Sequence, residues 1–333
     1  MSQTTREGTV ASTTQPAVEV PLDPITPGAN RSEKQGRLGD RIFAGITLAA
    51  GIIILAVLAG VALFLIRDAI PAITATPDEL GRDTNFWGWV APLVVGTLIA
   101  SIIALLVATP VAIGVALFIS HYAPKRLAQP LGYLIDLLAA IPSVVYGAWG
   151  FLVFGPALVP IYAWLSQNLA FIPIFGPSYS TTGRTLLTAS LVLGVMVLPI
   201  ITSLCRELFL QTPKLHEEAA LALGATRWEM IKAAVFPFAR AGIVSAIMLG
   251  LGRALGETMA VALVLSPGLL TASLINVGNS TIPAQIALSF PEAFGIHRSE
   301  LIAAGLVLFV ITLAVNMVAR LIVARYKDFS GAN

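Results

Sequence analysis

The sequence predicts an all-α polytopic membrane protein with six transmembrane helices, and three observations predict it. Hydrophobic residues make up 56% of the 333 residues and charged ones only 11%, where soluble domains carry about 25% charged. So few charges cannot clothe a water-facing surface of this size, and lipid is therefore the solvent for most of the chain. Six apolar runs reach about 20 residues or more, the length that crosses about 30 Å of hydrocarbon. The lysines and arginines between those runs fall unequally on alternate connections. Only helices satisfy every backbone group within a single segment in lipid, so the runs are read as helices rather than strands.

Taken in order, residues 1–40 are rich in Ser, Thr, Pro and Gln. Such a segment buries too little apolar surface to offset its ordering entropy, so a disordered tail is expected. The first apolar run begins only at Ile42 and is too long for a secretory h-region. The expected spans are Ile42–Ile66, Trp89–Ser120, Leu131–Phe154, Leu186–Cys205, Phe238–Ser266 and Leu301–Val323, which together make a six-helix transmembrane domain of 41–328. The second is long enough to tilt, or to bend at Pro110. In the third, Pro142 removes a backbone donor and bends the helix, leaving Ser143 and Tyr146 to meet a freed carbonyl or a passing anion. Between Phe151 and Pro177 the apolar pieces are cut by Gly155, Pro156, Pro160, Pro173 and Pro177. An outer loop with a short interfacial helix around Trp164 is expected there, a re-entrant segment being the alternative.

One set of connections and ends carries 14 lysines and arginines, among them Lys125, Arg126, Arg206, Lys214 and Arg320. The other carries 4: Arg67, Arg82, Arg184 and Arg298. Positive charge stays inside, so both termini and the connection after the fourth span are expected in the cytoplasm. The net charge of +2 implies no nucleic-acid partner, and the lone Cys205 excludes an internal disulfide. His121, His216 and His297 are scattered and show no metal-ligand spacing.

The connection Thr212–Pro237 is polar and helix-prone. Thr212 is expected as an N-cap with Pro213 in the first turn, Glu217 and Glu218 near the favourable end of the dipole, and Gly224 as a left-handed terminator. Thr226-Arg227-Trp228-Glu229 then reads as a capping box opening a second helix. Two short helices with a corner at Gly224, on one membrane face, form a docking surface. The spacing Glu218-Ala219-Ala220, Gly224, then Ala234-Val235-Phe236-Pro237 resembles the signature loop of ABC importer permeases, although Ala234 and Phe236 stand where Ile and Leu are usual. The resemblance implies a coupling helix seated in a cleft of an ATPase subunit, with Glu218, Ala219, Ala220 and Gly224 as the coupling residues.

Gly252-Arg253-Ala254-Leu255-Gly256-Glu257-Thr258-Met259-Ala260 lies inside the fifth run. An ionised side chain at mid-bilayer costs about 2.5–3.5 kcal/mol even on the lenient insertion scale, so Arg253 and Glu257 must face protein or a water-filled path. On a continuous helix they are four apart and share a face. Gly252 and Gly256 form a small-residue edge that admits another helix. A guanidinium fork suits phosphate-like oxygens, and Glu257 would orient Arg253 and prevent trapping of the anion. A structural salt bridge is the competing reading.

Together with Ala140-Ile141-Pro142-Ser143-Val144-Val145-Tyr146-Gly147-Ala148-Trp149, this segment resembles the permease of the phosphate-specific importer, the PstC type, over all but the first 40 residues. The resemblance implies the type I, MetI-like architecture and a translocation path near Arg253, Glu257, Thr258, Ser143 and Tyr146. It also implies a sister permease, two ATPase subunits that bind ATP and Mg, and an extracytoplasmic phosphate-binding protein, all at the bacterial inner membrane. This chain has no phosphate-binding Gly-x-x-x-x-Gly-Lys-Ser/Thr loop and needs no cofactor of its own. Sulfate or molybdate are rival cargoes. A passive anion channel or membrane sensor would need no coupling loop, and an intramembrane hydrolase lacks a partner for Ser143 or Ser245.

Overall fold

The computed structural model describes the backbone of residues 32–266 and 271–327, and side chains from 39 to 321 within those limits. The described residues are helical almost throughout. Six helices are long and apolar enough to cross a membrane: Gly39–Thr74, Phe86–Tyr122, Ser143–Asn168, Leu186–Leu210, Arg227–Gly256 and Ile296–Leu321. The described residues fall into two units that divide between Ala59 and Gly60. Helix α1 (Ser32–Thr74) contributes to both. Most of the expected tail lies outside the described residues, and Ser32–Asp40 form the first turns of α1. In the first unit every described side chain, Gly39 to Ala59, is exposed.

In the second unit α2 (Pro77–Leu80) leads into α3 (Phe86–Leu117), whose N-cap Asn85 accepts from the Gly88 N–H. Pro92 and Pro110 lie inside α3 without ending it. Buried alanines at 100, 104, 108, 112 and 116 form an i±4 row along α3. Small side chains let helices approach closely where no hydrophobic effect drives them together. After α4 (Lys125–Ala139), α5 (Ser143–Trp149), α6 (Gly155–Asn168) and α7 (Leu186–Leu210), the core is recognisable. α7 is the central helix, with two thirds of its most apolar stretch buried, and Val192, Met196, Val197, Ile201 and Cys205 lie on its buried side. Buried Tyr162 ties α6 to α7, its hydroxyl 2.7 Å from Thr188 Oγ1.

The third span differs from expectation. It runs Ser143–Asn168, not Leu131–Phe154. Lys125–Ala139 is instead a separate helix, α4, with only Gly132 and Ile135 buried. The expected outer loop is helical as far as Asn168. A π turn at Gly150–Phe154 carries the chain into α6. Two further π turns, Phe118–Tyr122 and Ile231–Val235, share its context: each ends two residues before a proline, Pro124, Pro156 or Pro237. Proline lacks an N–H and its ring collides with the carbonyl four residues back. A π turn changes the pairing register just ahead of the ring, so the chain passes Pro156 and Pro237 while staying helical.

The remaining elements are α8 (Lys214–Ala222), α9 (Arg227–Met230), α10 (Phe236–Gly256), α11 (Met259–Val264), α12 (Ile282–Ser289) and α13 (Ile296–Lys327). A second cluster packs Ala69 and Ala72 of α1, Leu80, Phe86, Val90 and Leu93 against Ile282, Ala303 and Ala304. At its edge Glu300, almost fully buried, accepts from Arg82 at 3.1 Å and lies 2.9 Å from His297 Nδ1.

Candidate functional site

The fifth apolar run is not one helix. α10 ends at Gly256, Glu257 leaves it with extended backbone (φ −69°, ψ 124°), and α11 resumes at Met259. The expected end at Ser266 is thereby replaced by a break at Glu257-Thr258. The expected i,i+4 geometry of Arg253 and Glu257 fails for the same reason, because Glu257 stands outside the helix. Among the described residues the two make no ion pair. Glu257 is 9% exposed and turns forward instead, accepting from the Ala260 N–H at 3.0 Å. It thus satisfies a donor that the break would otherwise orphan. Thr258 donates its hydroxyl to the Gly256 carbonyl at 3.1 Å, closing the other side of the gap.

A second break faces this one. The chain leaves α4 at Ala140 and re-enters helix at Ser143, with Pro142 as N-cap. Buried Tyr146 spans the gap, donating its hydroxyl to the Leu138 carbonyl at 2.9 Å. Ser143 is half-buried. α5 and α11 touch backbone to backbone: a Cβ on Gly147 would stand 2.7 Å from Ala260 Cα and 3.1 Å from its carbonyl oxygen. The two interrupted segments, Ser143–Gly147 and Glu257–Ala260, are therefore locked together by a glycine. Arg253 stands in the last turn of α10, just before the break.

The far end of α11 is clamped as well. Arg184 Nη2 donates to the Leu265 carbonyl at 2.6 Å and Nε to that of Val264 at 3.4 Å, with the guanidinium 4.9 Å over the Phe151 ring. Sequence reading counted Arg184 only as a loop charge. Its role depends on α11 being a separate short helix, which no local residue pattern announces.

Arg253 itself is exposed and lines an open groove of about 1380 Å³ with Ile200, Ser245, Gly252, Asn316 and Arg320. Gly252 and Gly256 have nothing within 4 Å of a would-be Cβ, so the small-residue edge is free for another helix. Arg320, assigned from sequence to a cytoplasmic end, shares the groove with Arg253.

The insert forms two short helices, as expected. Gly224 has φ +85° and ends α8. Thr226 and Glu229 make the reciprocal capping box, the Thr226 N–H donating to Glu229 at 2.8 Å and the Glu229 N–H to Thr226 Oγ1 at 3.3 Å. The bonds from the Thr226 backbone and hydroxyl hold the Glu229 carboxyl below its ordinary pKa. The start of α8 is shifted by one position: Pro213 is the N-cap, and buried Thr212 Oγ1 has no partner among the described residues. Pro237 does not close the insert either, because Arg227–Gly256 is one continuous helical stretch.

No residue of α8 is fully buried. Glu218, Ala219 and Gly224 are exposed and Ala220 half-buried, while Leu215 and Leu223 stand 74% and 91% exposed. One contact runs inward from α8: Glu217 lies 3.6 Å from Nε2 of His121, whose Nδ1 is 2.7 Å from Ser120 Oγ. His121 belongs to the π turn that ends the second span, so the insert is tied to that span directly. A spacing rule could not have found this pair, which is 96 residues apart in the sequence.

Residues 108–328 match the family model of binding-protein-dependent transport system inner membrane components. The phosphate transport system permease protein PstC 2 of Mycobacterium tuberculosis is 43% identical over 304 residues, covering 87% of this chain and 93% of that one. The phosphate transport system permease protein PstC of Mesorhizobium japonicum is 36% identical, covering 95% and 99%. Among solved structures, a chain of the MetNI methionine ABC transporter, inward facing, superimposes with a TM-score of 0.50 at 15% identity, over 71% of this chain and 94% of that one. A chain of a bacterial ABC transporter involved in import of the acidic polysaccharide alginate gives 0.51 at 19%, over 87% and 99%. At those identities the two structures establish the fold alone.

Proposed function

The chain belongs to the binding-protein-dependent inner-membrane permeases, within the PstC group of ABC importers, and from that premise we propose that it carries inorganic phosphate across the inner membrane. The observation that carries the reading is the interrupted fifth run. It leaves an exposed guanidinium, Arg253, in the last turn before the break and in an open groove. Guanidinium forks bind tetrahedral oxyanions through charged hydrogen bonds. The free Gly252–Gly256 edge suits a sister permease helix, which would close the groove into a path. Arg253, Glu257, Thr258, Ser143 and Tyr146 are the residues we place along that path.

The insert is the motor contact of this proposal. Positive charge puts it, with both termini, in the cytoplasm. There the exposed Glu218-Ala219-Ala220 face and Gly224 would sit against one of two ATPase subunits, which bind ATP and Mg. Movement of α8 would reach the second span through Glu217 and His121, and the fifth through the continuous stretch from Arg227. On the opposite face an extracytoplasmic binding protein would deliver phosphate.

Competition uptake tests the cargo. In the reconstituted complex, unlabelled phosphate is expected to suppress uptake of labelled phosphate while sulfate and molybdate do not. Suppression by sulfate at equal concentration would overturn the assignment.

A further inference from the structure

The groove that holds Arg253 has a second cation in its lining, Arg320. Helices α10 and α13 are the fifth and sixth spans in succession, so they cross in opposite directions, and both arginines lie near the C-terminal ends of their helices. Along α10, Ser245 is eight residues from Arg253, about 12 Å of helix. On α13, Asn316 and Arg320 are four apart and share a face. All four line the groove, and its lining contains no Asp or Glu. Neither arginine forms an ion pair among the described residues. Two like charges in one groove without a lining carboxylate repel each other unless an anion lies near them.

Arg320 lies one residue before the end of the sixth span at Leu321, so it stands where the groove meets the end of that span.

We infer that Arg320, with Asn316, forms a second oxyanion subsite in this groove, which receives phosphate after it leaves Arg253. The inference rests on the reading of the groove as the phosphate path. Two guanidinium sites in series let the anion exchange one set of charged donors for another, and release stays possible because neither site holds it alone. The shared chemistry is a phosphate oxyanion, and a lipid headgroup is its competing source.

The test uses the full complex with its sister permease and ATPase, in nanodiscs. Leu249→Cys, one turn from Arg253, and Met317→Cys, one turn from Arg320, both in the groove lining, are labelled separately with a negatively charged sulfonate thiol reagent, followed by the mass of this subunit. Cys205 is buried and leaves the introduced thiol as the reactive one. Inorganic phosphate is expected to slow labelling at both positions several-fold. Arg320→Gln should abolish the protection at 317 but not at 249, and Arg320→Lys should restore part of it. In transport, Arg320→Gln should lower phosphate uptake about tenfold, the effect of one lost charged hydrogen bond, with ATPase association retained. Protection at 249 without protection at 317 would overturn the subsite and leave the path standing. Protection at neither position would overturn the path itself. Labelling at 317 that follows the anionic lipid content and ignores added phosphate would assign Arg320 to a headgroup and overturn the subsite.

Discussion

The insert of α8 and α9 and the break between α10 and α11 both join two helices by a sharp corner, yet they are supported differently. In the insert the corner is local: Gly224 supplies the left-handed residue, and Thr226 and Glu229 cap one another within four positions. At the break no proline or left-handed glycine turns the chain. The corner at Glu257-Thr258 has local bonds from Glu257 and Thr258, but it is also held from outside, by Gly147 against Ala260 on one side and Arg184 on the Val264 and Leu265 carbonyls at the far end. A water-facing turn has solvent for its spare backbone groups. A turn within a membrane has only protein, so distant parts of the fold must complete it. The comparison teaches that the corner of the insert is specified locally, while the break depends also on its neighbours.

The largest effect should come from breaking that external support. Gly147→Val places atoms where the Ala260 backbone already stands. Overpacking of this kind costs about 1–3 kcal/mol or more, and here it must part α5 from α11. Uptake should vanish while ATPase association through the insert persists. Co-purification with normal uptake would show that the two segments do not need their contact.

Glu257→Gln sharpens the same comparison. The amide oxygen can still accept from the Ala260 N–H, so α11 should stay capped and the complex should assemble. Only the charge beside the path is lost. Uptake should change in rate, with thermal stability of the complex near that of the wild type. A collapse of assembly equal to that of Glu257→Ala would make Glu257 purely structural.

The smallest effect belongs to the insert. Thr226→Ala removes an N-cap and should cost about 1 kcal/mol locally, seen as faster amide exchange in α9. Transport should fall only slightly, since α9 continues into the fifth span. The capping box also has a pH signature. Glu229 titrates below its ordinary value in the folded insert, so its contribution is full above that ordinary value, near 4.5, and is lost as pH falls through the lowered one. Exchange in α9 should therefore be constant through neutral pH and rise only in acid. A rise already at neutral pH would show that the capping box does not set exchange in α9.

Much of this was legible in the residues. The six membrane-crossing helices, Gly224, the capping box and the exposure of Glu218 follow from composition and from local capping rules. The third span was displaced because Gly155, Pro156 and Pro160 read as breakers, whereas a π turn passes the chain around Pro156 at little cost. The start of α8 moved by one residue, within the usual spread of helix ends. The split of the fifth run and the unpaired Arg253 were not legible. Glu257 looks like an ordinary i+4 partner until Gly147, Ala260 and Arg184, all distant in sequence, are brought together.

The central claim is that phosphate crosses at Arg253, beside a break the fold holds open, under the drive of the insert. Arg253→Gln in the complete reconstituted complex tests it most directly, by measuring labelled phosphate uptake alongside subunit stoichiometry. The account predicts full assembly with uptake reduced to background. Uptake at the wild-type rate, or failure of the subunits to assemble, would contradict it.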